Sequence, residues 1–206
     1  MAYQVLYEDD FLLVVSKPAG LLFHPTWDPD RPNLVKEIRQ ALGPDQYLGT
    51  HQRLDQVTSG VVLFSRHKSA NFSLHRQFAT RKVEKIYHAL VSQVPEPGWE
   101  VSNHLGRDGA YTVEDDDGKL ALTSFRRLEQ RSDCWLVEAR PRTGRRHQIR
   151  VHLAGCGLPI VGDDLYGGRP AHRTMLHALQ LRLDHPISRE PLRFEAPYPT
   201  DFGVAA

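Results

Sequence analysis

Three groups of residues in this chain have the types and spacing to do chemistry. The first is Gln52-Arg53-Leu54-Asp55-Gln56-Val57-Thr58-Ser59-Gly60, followed by the apolar run Val61-Val62-Leu63-Phe64. A carboxylate beside a Thr-Ser-Gly turn, backed by a buried strand, is held rigidly enough to act on something that enters a cleft. Taken alone, an Arg-x-Asp recurs by chance, and the plain alternative is a surface Asp55 paired with Arg53. The second group runs from Arg140 to His152, where Thr143-Gly144 is predicted to open a helix over 145–154. Its first turn would be Arg145, Arg146 and His147, at a helix N-terminus whose free N–H groups favour anions. Arg146 and Arg150 lie four apart and share a face, with Ile149 and Leu153 on the neighbouring apolar face. Arg150 would then meet a carboxylate brought by another element; the alternative is an amphipathic surface helix. The third group is a predicted strand over 83–93 that puts Lys85 and Tyr87 on one face with Val83, Ala89 and Val91.

The elements that must position these groups are mostly strands. Two short strands, 3–7 and 11–16, flank an Asp9-Asp10 turn, and Lys17-Pro18-Ala19-Gly20 ends the second. Asn33 is an N-cap for a helix over 34–42, stopped by Gly43-Pro44. A buried strand follows over 60–65. Ser69 would cap a helix reaching Arg81, with Phe72, His75 and Phe78 on one face at spacing three. Residues 95–98 read as a loop, and Asp108-Gly109 and Glu114–Gly118 as turns. Residues 120–128 and 134–139 read as an antiparallel pair, and 181–184 and 192–194 as late strands. The expected class is α+β, with a mixed, largely antiparallel central sheet flanked by helices and loops, and a catalytic cleft.

Composition narrows the classes. The chain has 206 residues, 40% hydrophobic and 25% charged, an ordinary globular balance. No apolar run approaches the ~18 residues of a membrane span, and the acidic N-terminus lacks the features of a signal peptide. A cytoplasmic protein is expected. Cys134 and Cys156 form no metal spacing and no disulfide framework, and each reads as a small core residue. The net charge of +1 hides an asymmetry: residues 140–193 contain 10 Arg, no Lys and 4 acids. Arginine suits planar contact with phosphate and stacking on bases, so this segment favours a polyanion, against a structural ion-pair belt. His147 and His152 are five apart, the wrong spacing for a helical zinc pair. A two-carboxylate glycosidase finds no second acid framed like Asp55.

The motifs together carry a resemblance. Asp9-Asp10-Phe11 and Lys17-Pro18-x-Gly20 come first, then Arg53-Leu54-Asp55-x-x-Thr58-Ser59-Gly60 and Lys85-x-Tyr87-x-Ala89-x-Val91. Gly118-Lys119-x-Ala121-x-Thr123 and Pro141-x-Thr143-Gly144-Arg145-x-His147-Gln148-Ile149-Arg150-Val151-His152 follow. Pro159-Ile160-x-Gly162-Asp163-x-x-Tyr166 and Leu176-His177-Ala178 complete the order. The chain resembles the RNA pseudouridine synthase family in its RluA-type branch, from the first strand to about Pro197.

The resemblance implies a single catalytic domain over 1–206 with no appended RNA-binding domain. It implies isomerisation of a specific uridine to pseudouridine in transfer or ribosomal RNA, without metal or other cofactor. Asp55 would be the catalytic aspartate, Tyr87 would face the uracil as candidate base for the C5 proton, and Arg150 would pair with Asp55. Arg53 would fill the gap left by the flipped uridine, and Ile149 would pack on its ring. Thr58, Arg145, Arg146, His147 and Gln148 complete the expected RNA contacts, with the basic stretch 76–85 adding affinity. A nearby guanidinium lowers a carboxyl pKa by roughly 1–3, which would keep Asp55 ionised to attack C1′ or remove a ribose proton. Tyr87, with an ordinary phenol pKa near 10, is a poor base without help, and Lys85 is the candidate helper. One position departs from the family's His-Arg-Leu-Asp: Gln52 precedes Arg53, and His51 stands one earlier. The protein is expected to be a monomer that binds RNA and no membrane. A non-catalytic RNA-binding protein on the same fold is the rival reading.

Overall fold

Turn chemistry and alternation produce the elements seen in the computed structural model, which describes residues 2–25, 27–28 and 30–203. The chain begins with strands β1 (Gln4–Glu8) and β2 (Leu12–Lys17), helix α1 (Leu34–Leu42), and strands β3 (Gly49–Thr50) and β4 (Ser59–Ser65). Helix α2 (Ala70–Ala79) precedes β5 (Glu84–Val91), β6 (Gly98–Asp108), β7 (Tyr111–Glu114), β8 (Lys119–Arg131) and β9 (Cys134–Pro141). Helix α3 (Gln148–Gly155), β10 (Leu176–Asp184) and β11 (Pro191–Glu195) close the order. The fold divides into two compact units, Met1–Glu84 with Ala178–Pro199, and Lys85–His177 with Thr200–Ala206.

In the first unit β2 pairs antiparallel with β1 and β4, β3 pairs with β4, and β10 pairs antiparallel with β11. Every residue of β4 is buried, and Leu12–Val15 of β2 are buried too. A strand covered on both faces reads as a continuous apolar run, as Val61–Phe64 does. Helix α1 matches the expected span to the residue. The Asn33 side chain accepts from the Lys36 N–H at 2.9 Å, and Gly43 ends the helix at φ 96°. Its buried Leu34, Val35 and Ile38 contribute about 1.5–3 kcal/mol each through burial.

Helix α2 corrects the sequence expectation. It stops at Ala79, and Ser69 makes no side-chain cap. Its buried residues are Ala70, Ser73, Leu74 and Gln77, while Phe72 is 79% exposed. Ala70 and Ser73, small and three apart, let the helix seat closely. Gln77 also exchanges two hydrogen bonds with the Asp184 backbone, at 2.8 and 2.9 Å. Those contacts turn the aromatic stripe outward.

The second unit carries the order β5-β9-β8-β6-β7, with every ladder antiparallel. Alternation places Ala121, Thr123 and Phe125 of β8 in its core, where Trp99 stacks on Phe125 at 4.9 Å. Strand β6 runs 11 residues, between the loop at 95–98 and the Asp108-Gly109 turn. Its outward positions are Glu100, Ser102 and His104, so it carries little apolar signal. Helix α3 starts three residues later than expected, leaving Arg145, Arg146 and His147 in a turn ahead of it. Cys134 is buried as expected, whereas Cys156 is exposed, at the C-cap of α3. The α+β class and the antiparallel ladders agree with the sequence.

Candidate active site

The Asp55 loop joins β3 to β4 and is fixed from below. Buried Leu54 anchors it, and the Thr58 N–H donates to the Asp55 carbonyl at 3.1 Å, closing a turn. Asp55 is half-buried, Arg53 exposed and Thr58 buried. Gly60 has φ 119°, and a Cβ there would meet the Ala178 carbonyl oxygen at 2.2 Å. Only glycine fits this close approach.

Lys17 is the residue whose part the sequence did not reveal. It is fully buried at the end of β2, and its ammonium donates to the carbonyls of Pro18 and Leu21, each at 2.8 Å, and of Gln56 at 3.1 Å. An ammonium has three donors, and three carbonyls receive them. The Gly20 N–H also donates to the Gln56 carbonyl at 2.8 Å, and the Gln56 amide returns a bond to Gly20 at 2.9 Å. The Lys17–Gly20 segment thus clamps the backbone next to Asp55. The only sequence signal was the Lys-Pro-x-Gly motif itself.

At the departure from the family pattern, Gln52 reaches the Val61 carbonyl at 3.5 Å. His51 bonds Ser65 through Nε2 at 3.0 Å, and the Ser65 hydroxyl donates to Asn71 at 2.8 Å. Since the one hydroxyl proton goes to Asn71, His51 Nε2 is the donor to Ser65. Burial lowers the His51 pKa and keeps the ring neutral.

In the second unit, Gln148 organises the Arg-rich turn. Its Oε1 accepts from the Thr143 hydroxyl at 2.7 Å and the Arg145 N–H at 2.9 Å. Its Nε2 donates to the Leu122 carbonyl at 3.0 Å and the Thr123 hydroxyl at 2.8 Å. All four hydrogen-bonding capacities of the amide are used, so Gln148 positions the turn. Arg145 donates from Nε to the Leu120 carbonyl at 2.9 Å. Arg146 holds a buried Nη1 with no hydrogen-bond partner among the described residues. His147 is left-handed at φ 52° and bonds the Tyr166 hydroxyl through Nδ1 at 2.9 Å. Burial, then the charges of Arg150 and Arg146, push its pKa down to about 4.

Arg150 stands one residue past Ile149 in the first turn of α3, and both are buried. It makes a two-pronged pair with fully buried Asp163, Nε to Oδ2 at 2.7 Å and Nη2 to Oδ1 at 2.6 Å. The Tyr166 ring lies 5.0 Å from its guanidinium carbon. The Gly162-Asp163 turn is built for this: Gly162 has φ 77°, and a Cβ would strike the Arg173 carbonyl. Asp163 is therefore a carboxylate partner of Arg150 that sequence reasoning did not name. Its signal was the Gly-Asp-x-x-Tyr motif.

On β5, Lys85 and Tyr87 share a face, and Tyr87 stands opposite Ala139. Tyr87 is half-buried. The Lys85 ammonium donates to the Thr143 carbonyl at 3.2 Å, and burial pushes its pKa down to about 8. A lysine so displaced is part-neutral near physiological pH and can act as a base. Among the described residues no three His, Cys, Asp or Glu side chains are grouped to hold a metal ion. No described helix is long and apolar enough to cross a membrane.

Comparison with known proteins adds an independent line. The family model described as RNA pseudouridylate synthase matches residues 11–155. An uncharacterized RNA pseudouridine synthase of Chloroflexus aurantiacus is 39% identical over 201 residues, covering 92% of this chain and 64% of the relative. Ribosomal large subunit pseudouridine synthase D of Pseudomonas aeruginosa is 34% identical over 222 residues, covering 97% of this chain and 69% of the relative. The solved structure of human RNA pseudouridylate synthase domain containing 1 aligns at a TM-score of 0.78 with 30% identity, over 96% of this chain and 84% of that one. The chain spans about two thirds of the length of these two curated relatives.

Proposed function

The chain belongs to the RNA pseudouridylate synthase family, and we propose that it isomerises a specific uridine to pseudouridine in a structured RNA. The observation that supports this most is the Asp55 loop, a carboxylate on a backbone clamped by Lys17 and Gly20. A group that must meet one ribose carbon needs such pre-set geometry. The N1–C1′ bond breaks, the uracil turns, and C5 bonds to C1′. A proton leaves C5 and one is gained at N1, so no oxidant, reductant or water is consumed.

In this reading both compact units form one catalytic domain that acts as a monomer in the cytoplasm. Asp55 acts on the flipped uridine, as nucleophile at C1′ or by taking a ribose proton. Arg150, with two of its nitrogens directed by Asp163, is the counter-ion that keeps Asp55 ionised. Tyr87 faces the uracil and takes the C5 proton, helped by Lys85, whose lowered pKa leaves part of it neutral and able to receive the phenol proton. Arg53, exposed ahead of Asp55, fills the place of the base, offsetting part of the few kcal/mol that unstacking costs. Ile149 packs on the flipped ring, and Thr58 lines the entry. Arg145, Arg146 and His147 meet the phosphates, with the buried Nη1 of Arg146 a ready donor. The name of the Pseudomonas relative supports ribosomal RNA as the first substrate to test.

The test uses large-subunit ribosomal RNA transcribed in vitro, incubated with the native chain or Asp55→Asn and mapped for pseudouridine. The native chain is expected to convert a discrete uridine, and the variant to bind RNA without converting it. Conversion by Asp55→Asn would refute Asp55 as the catalytic group. RNA binding without any conversion by the native chain, in ribosomal and transfer RNA alike, would favour the non-catalytic reading.

A further inference from the structure

The outward face of α2 is not used by the mechanism above, and its chemistry is specific. Phe72, 79% exposed, stands with exposed His75 and Arg76 at spacing three and four, and Lys68 lies just ahead of the helix. Phe72 and His75 line one side of a groove of about 360 Å³ whose other walls include Tyr47 and His51. The groove is pre-set: Asn71 donates to the Tyr47 hydroxyl at 2.5 Å and accepts from Ser65, which in turn accepts from His51. The His51 ring is further held parallel to Phe78. The Phe72 ring and this groove together make a contiguous, partly aromatic concavity of the kind that marks interaction sites.

The charge around it indicates what does. No acidic residue occurs between Asp55 and Glu84, whereas this stretch holds Arg66, Lys68, Arg76, Arg81 and Lys82. Arg66 and Lys82 are committed to Glu8 and Asp184. Lys68, Arg76 and Arg81 have no ion-pair partner among the described residues. Aromatic faces interleaved with unpaired cations are the combination that holds single-stranded nucleic acid, bases stacking while cations follow the backbone.

We propose that the exposed face of α2 is an RNA-contact surface separate from the uridine site: an unpaired base of the substrate stacks on Phe72 beside the His51–Tyr47 groove, and Lys68 and Arg76 hold its flanking phosphates. This rests on the reading of the chain as an enzyme acting on RNA. It also gives His51, one position out of the family pattern, a defined place as a groove wall.

The test measures binding of two labelled probes, single-stranded oligouridine and its duplex with oligoadenine, by the native chain, Phe72→Ala, Lys68→Ala/Arg76→Ala and Ile187→Ala. Ile187 is an exposed apolar control elsewhere in the same unit. Phe72→Ala is expected to weaken single-strand binding by about 5- to 150-fold, the range for one lost base stack, with duplex affinity and melting temperature unchanged. The double variant is expected to flatten the log–log salt dependence for the single strand by about 0.7 per lost phosphate contact. Ile187→Ala is expected to match the native chain. Native single-strand affinity in Phe72→Ala overturns the proposal and leaves this face to a partner protein; an equal loss on both probes also overturns it. Failure of the native chain to bind either probe or ribosomal RNA would instead overturn the RNA reading on which the proposal rests.

Discussion

Replacing Asp163 by Asn probes the most buried charge pair of the candidate site. Asp163 is fully buried and Arg150 5% exposed, and both bonds between them are short, at 2.6 and 2.7 Å. Asn keeps one acceptor but turns an NH2 toward the guanidinium, leaving a buried cation without its carboxylate. Removing one partner of such a pair costs about 3–5 kcal/mol. Against a typical total of about 5–15 kcal/mol, that is a large share. With a urea m-value of about 2 kcal/mol/M for a small protein, the midpoint should fall by about 2 M. Trp99 and Trp135 lie in the second unit, and the third tryptophan, Trp27, is 93% exposed in the first, so the change in tryptophan fluorescence during urea unfolding comes chiefly from the unit where the pair sits. The companion variant Arg150→Met/Asp163→Leu removes both charges and should recover most of the stability, because apolar replacement of a buried pair is often neutral or better. It should not recover pseudouridine formation, since Arg150 is gone. A loss below about 1 kcal/mol in Asp163→Asn would refute the account, because that is the range of a solvated surface pair. Full activity in the double variant would refute Arg150 as the counter-ion of Asp55.

Lys85 has its pKa lowered from 10.5 to about 8, so between those values the unfolded chain binds more protons than the folded one. Stability should therefore rise with pH across that window by up to about 1.4 kcal/mol per pH unit, as read by urea titrations, and Lys85→Met should abolish the slope. His147 and His152 are held near 4 by burial. Their neutral forms are favoured in the folded state, so their contribution is present above pH 6.5 and is lost as pH falls toward 4. Imidazole NMR shifts should show both rings neutral at pH 6; titration of either near 6.5 would contradict the burial. Gly60→Ala places a Cβ against Ala178 at a φ of 119°, and should either abolish soluble expression or lower the melting temperature together with activity. A variant with native stability would show that the approach of β4 to Ala178 is not close.

Local signals were legible and non-local ones were not. Helix α1 was readable because its cap, its stop and its buried stripe lie within eleven residues of sequence, Asn33 to Gly43. The start of α3 was not, because Gln148 is held by Thr123 and Leu122, some 25 residues away in the chain. Those bonds fix the preceding residues as a turn, with His147 left-handed. Which face of α2 is buried was not readable for a similar reason. Phe72, His75 and Phe78 form the more apolar stripe, but Gln77 is bound to Asp184, 107 residues on, and that contact sets which side is buried. Among the candidate site residues, type and order were visible in Asp55, Tyr87 and Arg150, whereas their supports, Lys17 and Asp163, owe their roles to backbone and side chains far along the chain.

The two supports share a physical logic. Each is a charged side chain removed from water, and each is compensated in full view: Lys17 by three carbonyls, Asp163 by a guanidinium fork and the Leu165 N–H at 3.2 Å. A buried charge tolerates few geometries, because losing any one partner leaves a desolvated group unsatisfied. That intolerance makes it a better clamp than an apolar contact, which can slide at little cost. Lys17 ties down the peptide next to Asp55, and Asp163 fixes the plane of the Arg150 guanidinium. In the proposed reaction a flexible carboxylate would spend most of its time misaligned with its target, and a rotating guanidinium would be a poorer counter-ion. On the proposed mechanism, both supports act through the groups they hold, Asp55 and Arg150. Lys17→Met, close in length but without donors, should lower turnover on RNA more than it raises KM.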